Sequence, residues 1–168
     1  MTDIEKALVE KARQLLSSKA AARVLGWKKG EFVYDPSPAV FETEQSLDDF
    51  VYDDFCGANL SKYLIELSKK EGKTAVFLKP CDTYSFNQLV KEHRVKRENV
   101  HVIGVECMEK IDAFKMEQKG IAGVKSELFD GDEAVFCTDS GESRVLKGEI
   151  LLEKCLSCKS KKLAVSDE

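Results

Sequence analysis

Cysteines are the residues of this 168-residue chain whose type and spacing could support chemistry, and there are six of them. Cys155 and Cys158 form a C-x-x-C pair, a spacing that lets two sulfur atoms bind one iron atom or one cluster within a single tight turn. Cys81 and Cys107 are separate in the chain, and each follows a short apolar run. Together these four thiolates suit a cubane 4Fe-4S cluster.

The same four cysteines allow other interpretations. Four thiolates also form structural zinc sites, and free cysteines often pack in cores as small apolar side chains. A thioredoxin-like dithiol is the weakest alternative, because Cys155 and Cys158 do not follow a strand and open a helix in a βαβ unit. We favour the cluster and leave inert thiols and a zinc-stabilised interaction module open.

The apolar pattern predicts the elements that position Cys81 and Cys107. Residues 75–78 and 100–105 are continuous apolar runs typical of buried strands, and a helical pattern lies between them. Strand, helix and strand within about 30 residues is the size of a right-handed βαβ unit, so we predict parallel neighbouring strands. Both cysteines then lie at the carboxyl edge of the sheet, where ligands bind in open α/β folds.

The helix of this unit should begin close to Cys81. Asp82 is a residue type that caps helices, so we predict that it caps this one. The positive end of a helix dipole favours a thiolate. We therefore expect a lowered pKa for the Cys81 thiol.

The remaining elements also follow from the spacing of apolar residues. Helical spacing predicts further helices at 2–18, 58–69 and 111–118. Short apolar runs between turn residues predict further strands at 24–27, 32–34, 124–129, 134–138 and 144–146. We predict the α/β class, with a small parallel or mixed sheet flanked by helices and a cluster at the C-terminal edge of its strands.

Length and composition indicate one globular domain. The chain is 43% hydrophobic, which is enough to bury a core, and its length is that of one ordinary domain. Residues 159–168 are charged and poor in apolar side chains. We predict a single iron-sulfur domain over residues 1–158, followed by a charged tail or a truncated linker over 159–168.

Charge and hydropathy exclude two classes of partner. The chain has 26 Lys and Arg against 30 Asp and Glu, a net charge of −4, whereas binding to nucleic acid requires a basic face. No apolar run approaches the ~18 residues of a membrane-spanning helix, and the N-terminus is acidic where a signal peptide is basic. We predict a cytoplasmic protein, in which thiols stay reduced.

Four other residues could contribute to a site. Cys56 precedes a predicted helix and is a candidate fifth thiol near the cluster, although burial in the core is the favoured interpretation. Cys137 lies in an apolar run, so we predict that it is buried. His93 continues an apolar helix face and His101 lies in a strand, which indicates packed rather than catalytic side chains.

Three segments also resemble a known family. The runs at 77–82, 102–107 and 154–158 are similar to the motifs of the iron-sulfur flavoprotein beta subunits of the coenzyme F-420 hydrogenase/dehydrogenase family. That family includes formate dehydrogenase beta subunits and electron-transfer partners of heterodisulfide reductase-type complexes. Residues 24–27 and 59–64 are similar to segments that precede these motifs in one branch of it. The likeness extends over most of the chain.

The resemblance implies a ligand set and a function. Cys81, Cys107, Cys155 and Cys158 match the family's cluster-ligating positions, and Lys79 and Asp82 match the cofactor-binding motif around the first ligand. The family passes electrons between deazaflavin or nicotinamide, FAD and iron-sulfur clusters in anaerobic metabolism. Partners would be other redox subunits or a ferredoxin-type domain.

This chain departs from the family pattern in two ways. It lacks the further C-x-x-C-x-x-C-x-x-x-C runs of longer members, and none of its residues matches a flavin-binding position. We therefore favour an electron-transfer domain with one 4Fe-4S cluster in a multi-subunit redox enzyme. The alternative is an FAD-containing oxidoreductase subunit that accepts hydride from deazaflavin or NAD(P)H.

Overall fold

The computed structural model describes residues 2–107, 109–159 and 162–168. In chain order the elements are α1 (Asp3–Ser17), β1 (Arg23–Lys28), β2 (Ser37–Phe41), α2 (Leu64–Leu67), β3 (Thr74–Leu78), α3 (Pro80–Lys91), β4 (Val100–Gly104), α4 (Ala113–Gln118), β5 (Val124–Asp130), β6 (Glu133–Thr138), β7 (Gly141–Leu146), α5 (Lys147–Ile150) and α6 (Glu153–Leu156). Short 3-10 turns lie at Gln45–Asp49, Ser61–Tyr63 and Arg97–Asn99. Within the described part of the chain, no helix is long and apolar enough to cross a membrane.

A mixed four-stranded sheet in the order β2-β1-β3-β4 contains the predicted βαβ unit. β3 is parallel to both β1 and β4, and β2 is antiparallel to β1. Phe77 pairs with Ile103 and Leu78 with Gly104, and every residue of β3 is buried. Because both faces of this strand are buried, its sequence is a continuous hydrophobic run rather than an alternating pattern. The predicted α/β class and the parallel pair are confirmed.

Helix α1 covers one face of this sheet. The Thr2 hydroxyl accepts a hydrogen bond from the Glu5 backbone N–H at 3.1 Å, which satisfies one of the free donors of the first turn. Leu8, Ala12 and Leu15 are buried in the core at helical spacing. The helix predicted over 2–18 is therefore confirmed.

A three-stranded antiparallel sheet, β5-β6-β7, encloses a second apolar cluster. Ala134 and Phe136 of β6 are fully buried in it, together with Met116 of α4. An antiparallel bridge between Ile111 and Leu151 joins the segments that enter and leave this half of the fold. The strands were predicted from the sequence, but their grouping into a second sheet was not.

Two predicted elements differ from the structure. Residues 32–34 form no strand: the loop turns back where the Asp35 N–H donates to the Phe32 carbonyl at 3.1 Å, and the antiparallel strand is Ser37–Phe41 instead. The helix predicted over 58–69 covers only 61–67. Its start is delayed because the Asn59 side chain accepts the Ser61 N–H at 2.9 Å and forms a local turn.

Residues 162–168, in the region predicted to be a tail or linker, lie along the outer edge of β4. The Asp167 N–H donates to the Val102 carbonyl at 2.8 Å, and the Asp167 carboxylate accepts the Val102 N–H at 2.7 Å. The Gly104 N–H donates to the Glu168 carbonyl at 2.9 Å. This segment therefore supplies the partners that an exposed sheet edge would otherwise lack.

The contact between β5 and the turn at residues 52–54 should depend on pH. Burial, followed by the carboxylates of Asp53 and Asp54, raises the pKa of Glu127 from 4.5 to about 7. Because the pKa of Glu127 is higher in the folded state than in the unfolded state, the protonated carboxyl stabilises the fold below pH 4.5. This contribution to stability is lost as the pH rises through 7.

We expect Glu127→Gln to increase the free energy of unfolding at pH 8 by about 1 to 2 kcal/mol, a value reduced for partial exposure. The substitution should change this free energy little at pH 4, where the carboxyl is protonated in the folded state and largely protonated in the unfolded state. Urea denaturation at the two pH values measures the difference. Glu31→Gln, at an exposed loop position, is the control. Equal effects of Glu127→Gln at both pH values would contradict the assignment.

Candidate functional site

Cys81 lies in the first turn of α3, directly after the carboxyl end of β3. Pro80 occupies the start of the helix, where its missing N–H costs nothing. The prediction that Asp82 caps this helix is wrong: Lys79 is the N-cap residue, and it makes no capping bond through its side chain. Asp82 lies inside the first turn and reaches back to the Lys79 ammonium group instead.

The Lys79–Asp82 pair is buried beneath Cys81. Each side chain is 1% exposed, and Lys79 Nζ lies 2.9 Å from Asp82 Oδ2. The contact is an ion pair rather than a well-aligned hydrogen bond, since Oδ2 has no partner that meets hydrogen-bond geometry. Lys79 Nζ also donates to the Ala58 carbonyl at 2.7 Å and lies 4.4 Å from the centroid of the Trp27 ring. These contacts fix the turn that presents Cys81.

Cys107 lies three residues after the end of β4, at the same edge of the sheet. The Val105 N–H donates to the Leu78 carbonyl at 3.0 Å, so the chain stays beside β3 past the end of β4. The Tyr52 hydroxyl donates to the Glu106 carbonyl at 2.5 Å and holds the residue before the cysteine. Parallel pairing and these two bonds place Cys81 and Cys107 at one edge.

Cys155 and Cys158 lie on the short helix α6 and in the turn after it. The Cys155 N–H donates to the Leu152 carbonyl at 2.8 Å, and the Cys158 N–H donates to the Cys155 carbonyl at 3.2 Å. Lys154 Nζ donates to the Gly57 carbonyl at 2.6 Å and ties α6 to the loop before α2. The C-x-x-C is therefore a local turn, as its spacing predicted.

Cys107 lies within electrostatic reach of both Cys81 and Cys155. Burial is the main cause of the raised pKa of the Cys107 thiol, and the Cys155 sulfur raises it further. Burial also dominates the raised pKa of Cys81, to which Cys107 contributes. Across residues 2–107, 109–159 and 162–168, however, no three His, Cys, Asp or Glu side chains are close enough together to hold a metal ion. The thiols approach one another without enclosing a common centre.

The pKa predicted for Cys81 is wrong in direction. Burial, with the Asp82 carboxylate as the second cause, raises the pKa of Cys81 to about 11. The ammonium groups of Lys79 and Lys154 oppose this rise and do not overcome it. Desolvation of a thiolate therefore outweighs the helix end on which the prediction depended.

The other candidate residues differ from one another in burial. Cys56 is fully buried, with Sγ 3.4 Å from Asp53 Oδ1, and its burial raises the pKa of the thiol. Cys137 is exposed, so the prediction of burial is wrong: strand alternation turns it to the face opposite Phe136. His93 is exposed after the end of α3, contrary to the prediction that it is packed.

His101 is partly buried in β4. Its Nε2 atom lies 2.9 Å from Glu168 Oε1, in the segment that covers the edge of β4. This contact has a structural role and agrees with the predicted packing of His101 in a strand.

Lys110 is a buried residue of this site that the sequence does not reveal. Its side chain is 3% exposed, and Nζ donates to the Asp53 carbonyl at 2.8 Å and to Asp54 Oδ1 at 3.2 Å. It lies 4.8 Å from the centroid of the Tyr52 ring. No spacing or motif distinguishes it from the other lysines, which are mostly solvated.

Comparison with known proteins identifies the family. The chain is 31% identical over 150 residues to the F420-dependent formate dehydrogenase subunit beta of Methanocaldococcus jannaschii, covering 84% of this chain and 39% of the relative. It is 27% identical over 143 residues to the F420-dependent formate dehydrogenase 1 subunit beta of Methanococcus maripaludis, covering 79% and 36%. The chain belongs to the coenzyme F-420 hydrogenase/dehydrogenase beta-subunit family. It spans less than two fifths of the length of these relatives.

The fold of this F-420 family member also matches a solved structure. A chain in the F420-reducing NiFe hydrogenase complex from Methanosarcina barkeri aligns with a TM-score of 0.70 and 15% identity, over 92% of this chain and 62% of that one. At this identity the match concerns the fold alone. No protein-family model matches the sequence.

Proposed function

We propose that this chain is an electron-transfer domain that binds one 4Fe-4S cluster through Cys81, Cys107, Cys155 and Cys158. The observation that carries the proposal is the parallel pairing of β3 and β4, which brings Cys81 and Cys107 to one edge of the sheet. The named relatives are beta subunits of F420-dependent formate dehydrogenases. By analogy, the domain would act inside a multi-subunit redox enzyme, beside other redox subunits or a ferredoxin-type domain.

The donor chemistry of this edge fits an iron-sulfur cluster. Cysteine thiolates are the ligands of such clusters, and a bound cluster supplies single-electron transfer. The raised pKa values of Cys81 and Cys107 mean that their protons must leave on binding. The ammonium groups of Lys79 and Lys154 stabilise the thiolate that then forms at Cys81.

Ligand binding also requires a local closure of the chain. The described thiols do not surround a common centre, so the segment with Cys155 and Cys158 must approach Cys81 and Cys107. Helix α6 has four residues. Its contact with the Gly57 carbonyl is made through the flexible Lys154 side chain. Metal binding commonly supplies the free energy for such ordering.

Chemical analysis of anaerobically reconstituted protein tests the proposal. We expect about four iron and four sulfide per chain, with a broad brown absorption. About one zinc per chain without sulfide would instead identify the zinc-stabilised interaction module. Binding of neither metal would leave the thiols without a cofactor and contradict both.

A cavity beside Cys107 favours flavin binding as a second candidate function. The cavity has a volume of about 480 Å³ and is lined by Pro80, Gly104, Glu106 and Lys162 among others. Small-molecule sites in proteins occupy roughly 300 to 1,000 Å³. We infer that FAD would bind here if the domain itself accepts hydride. Flavin fluorescence released on denaturation of protein incubated with FAD measures this binding.

A further inference from the structure

Two lysine side chains are buried near the cysteine edge and are connected through two aromatic rings. Lys79 and Lys110 are 1% and 2% exposed. Their ammonium groups lie 4.4 Å from the Trp27 ring centroid and 4.8 Å from the Tyr52 ring centroid, respectively. The two ring centroids are 5.2 Å apart. We call these four residues the lysine–aromatic stack.

Burial makes each of these charges unusual, since lysine is almost never fully buried unless it is paired. Lys79 is paired with the equally buried Asp82. The carboxylate that pairs with Lys110 belongs to Asp54, whose side chain is 27% exposed, so solvent screens it while the ammonium group stays dry. The positive charge of Lys110 is therefore the less fully compensated of the two.

The lysine–aromatic stack faces the cysteines. Lys110 follows Cys107 by three residues, and its ammonium group lies 4.8 Å from the centroid of the Tyr52 ring. The Tyr52 hydroxyl is bonded to the carbonyl of the residue before Cys107, which ties the stack to the cysteine edge. The Lys110 ammonium group is thus held beside the segment that carries Cys107.

We propose that Lys110 is a buried counter-cation that favours the addition of an electron at the cysteine edge, whereas Asp82 neutralises the charge of Lys79. The inference rests on the proposed function. One electron taken up by a thiolate-bound centre adds one negative charge, and a fixed cation in a water-poor region stabilises that charge. Stacking on the ring faces of Trp27 and Tyr52 holds the ammonium groups in place. Lys110 acts as a positioning residue for charge and touches no reactant.

The test is a dithionite titration of the anaerobically reconstituted full chain, followed by electron paramagnetic resonance. We expect Lys110→Met to lower the equilibrium constant for one-electron reduction about tenfold, which is a midpoint more negative by about 59 mV. Lys110→Arg should retain the midpoint because it keeps the charge. Lys62→Met removes one exposed lysine that lies 5.0 Å from the Tyr63 ring centroid, and it should leave the midpoint unchanged.

A second variant keeps the inference testable if Lys110→Met does not fold. Lys110→Gln removes the same charge but keeps a side-chain N–H donor for the Asp53 carbonyl, and it should also lower the midpoint. Lys79→Met combined with Asp82→Asn removes one positive and one negative charge together, so it should change the midpoint less than Lys110→Met does. An unchanged midpoint in Lys110→Met or Lys110→Gln with a full cluster overturns this inference and leaves the proposed function standing. Failure of the unsubstituted chain to bind iron and sulfide overturns the proposed function, and this inference with it.

Discussion

Cys155→Ser is expected to remove most of the iron and sulfide from the reconstituted protein. Serine cannot replace the thiolate as an effective ligand, and the Cys155 sulfur acts electrostatically on Cys107. We expect iron content to fall from about four per chain to less than about one, with loss of the brown absorption. Iron and sulfide analysis under anaerobic conditions provides the measurement.

Cys137→Ser is the matched control for this experiment. Cys137 is an exposed thiol on β6, in the three-stranded sheet, and its substitution should leave the iron and sulfide content unchanged. Equal iron content in Cys155→Ser and Cys137→Ser would show that Cys155 is not a ligand. Loss of the cluster in both would indicate damage to the fold instead, which circular dichroism of each variant detects.

Lys79→Met is expected to destabilise the metal-free protein by about 3 to 5 kcal/mol. The substitution leaves the Asp82 carboxylate without its ammonium partner at a position where the side chain is 1% exposed. It also removes the hydrogen bond to the Ala58 carbonyl at 2.7 Å and the contact with the Trp27 ring. Urea denaturation of the metal-free chain measures this loss.

Two further variants separate the buried pair from the loss of a lysine. Adding Asp82→Asn to Lys79→Met should recover much of the stability, because no buried charge then remains unpaired. Lys69→Met breaks an exposed pair in which Nζ lies 2.7 Å from Glu66 Oε1, and it should cost less than about 1 kcal/mol. A similar loss in Lys79→Met and Lys69→Met would contradict a special role for the buried pair.

The four-stranded sheet was predictable where local sequence and tertiary environment agree. The runs at 75–78 and 100–105 are apolar because both faces of β3 and most of β4 are buried, and the helix between them leaves parallel pairing as the simplest connection. This pattern can be recognised without information about the rest of the chain. The carboxyl-edge positions of Cys81 and Cys107 followed directly from it.

The errors occur where a local polar contact or a distant surface decides the outcome. The Asn59 side chain accepts a hydrogen bond from the Ser61 N–H and forms a local turn where apolar spacing alone predicted the first turn of a helix. Cys137 belongs to an apolar run, but strand alternation exposes it while Phe136 fills the second core. His93 has a positive φ of 55° after the last turn of α3 and so leaves the helical face.

Ionisation at the site was not predictable from residue types. A thiol at a helix start suggested a lowered pKa, whereas the enclosed position beside Asp82 gives Cys81 a pKa of about 11. The two buried ammonium groups likewise arise from packing. Lys79 has a motif around it, but Lys110 becomes part of the site only because Tyr52 and Asp54 come to it from more than 50 residues away.

The sequence by itself determined the class of the fold, the parallel strands and the positions of Cys81 and Cys107 after them, because apolar periodicity and motif spacing are local properties. Only the tertiary structure decided which thiols lie within reach of one another, how strongly they hold their protons, and which lysines surround them. Those properties depend on desolvation and on charges brought together from distant parts of the chain, and no short segment carries that information.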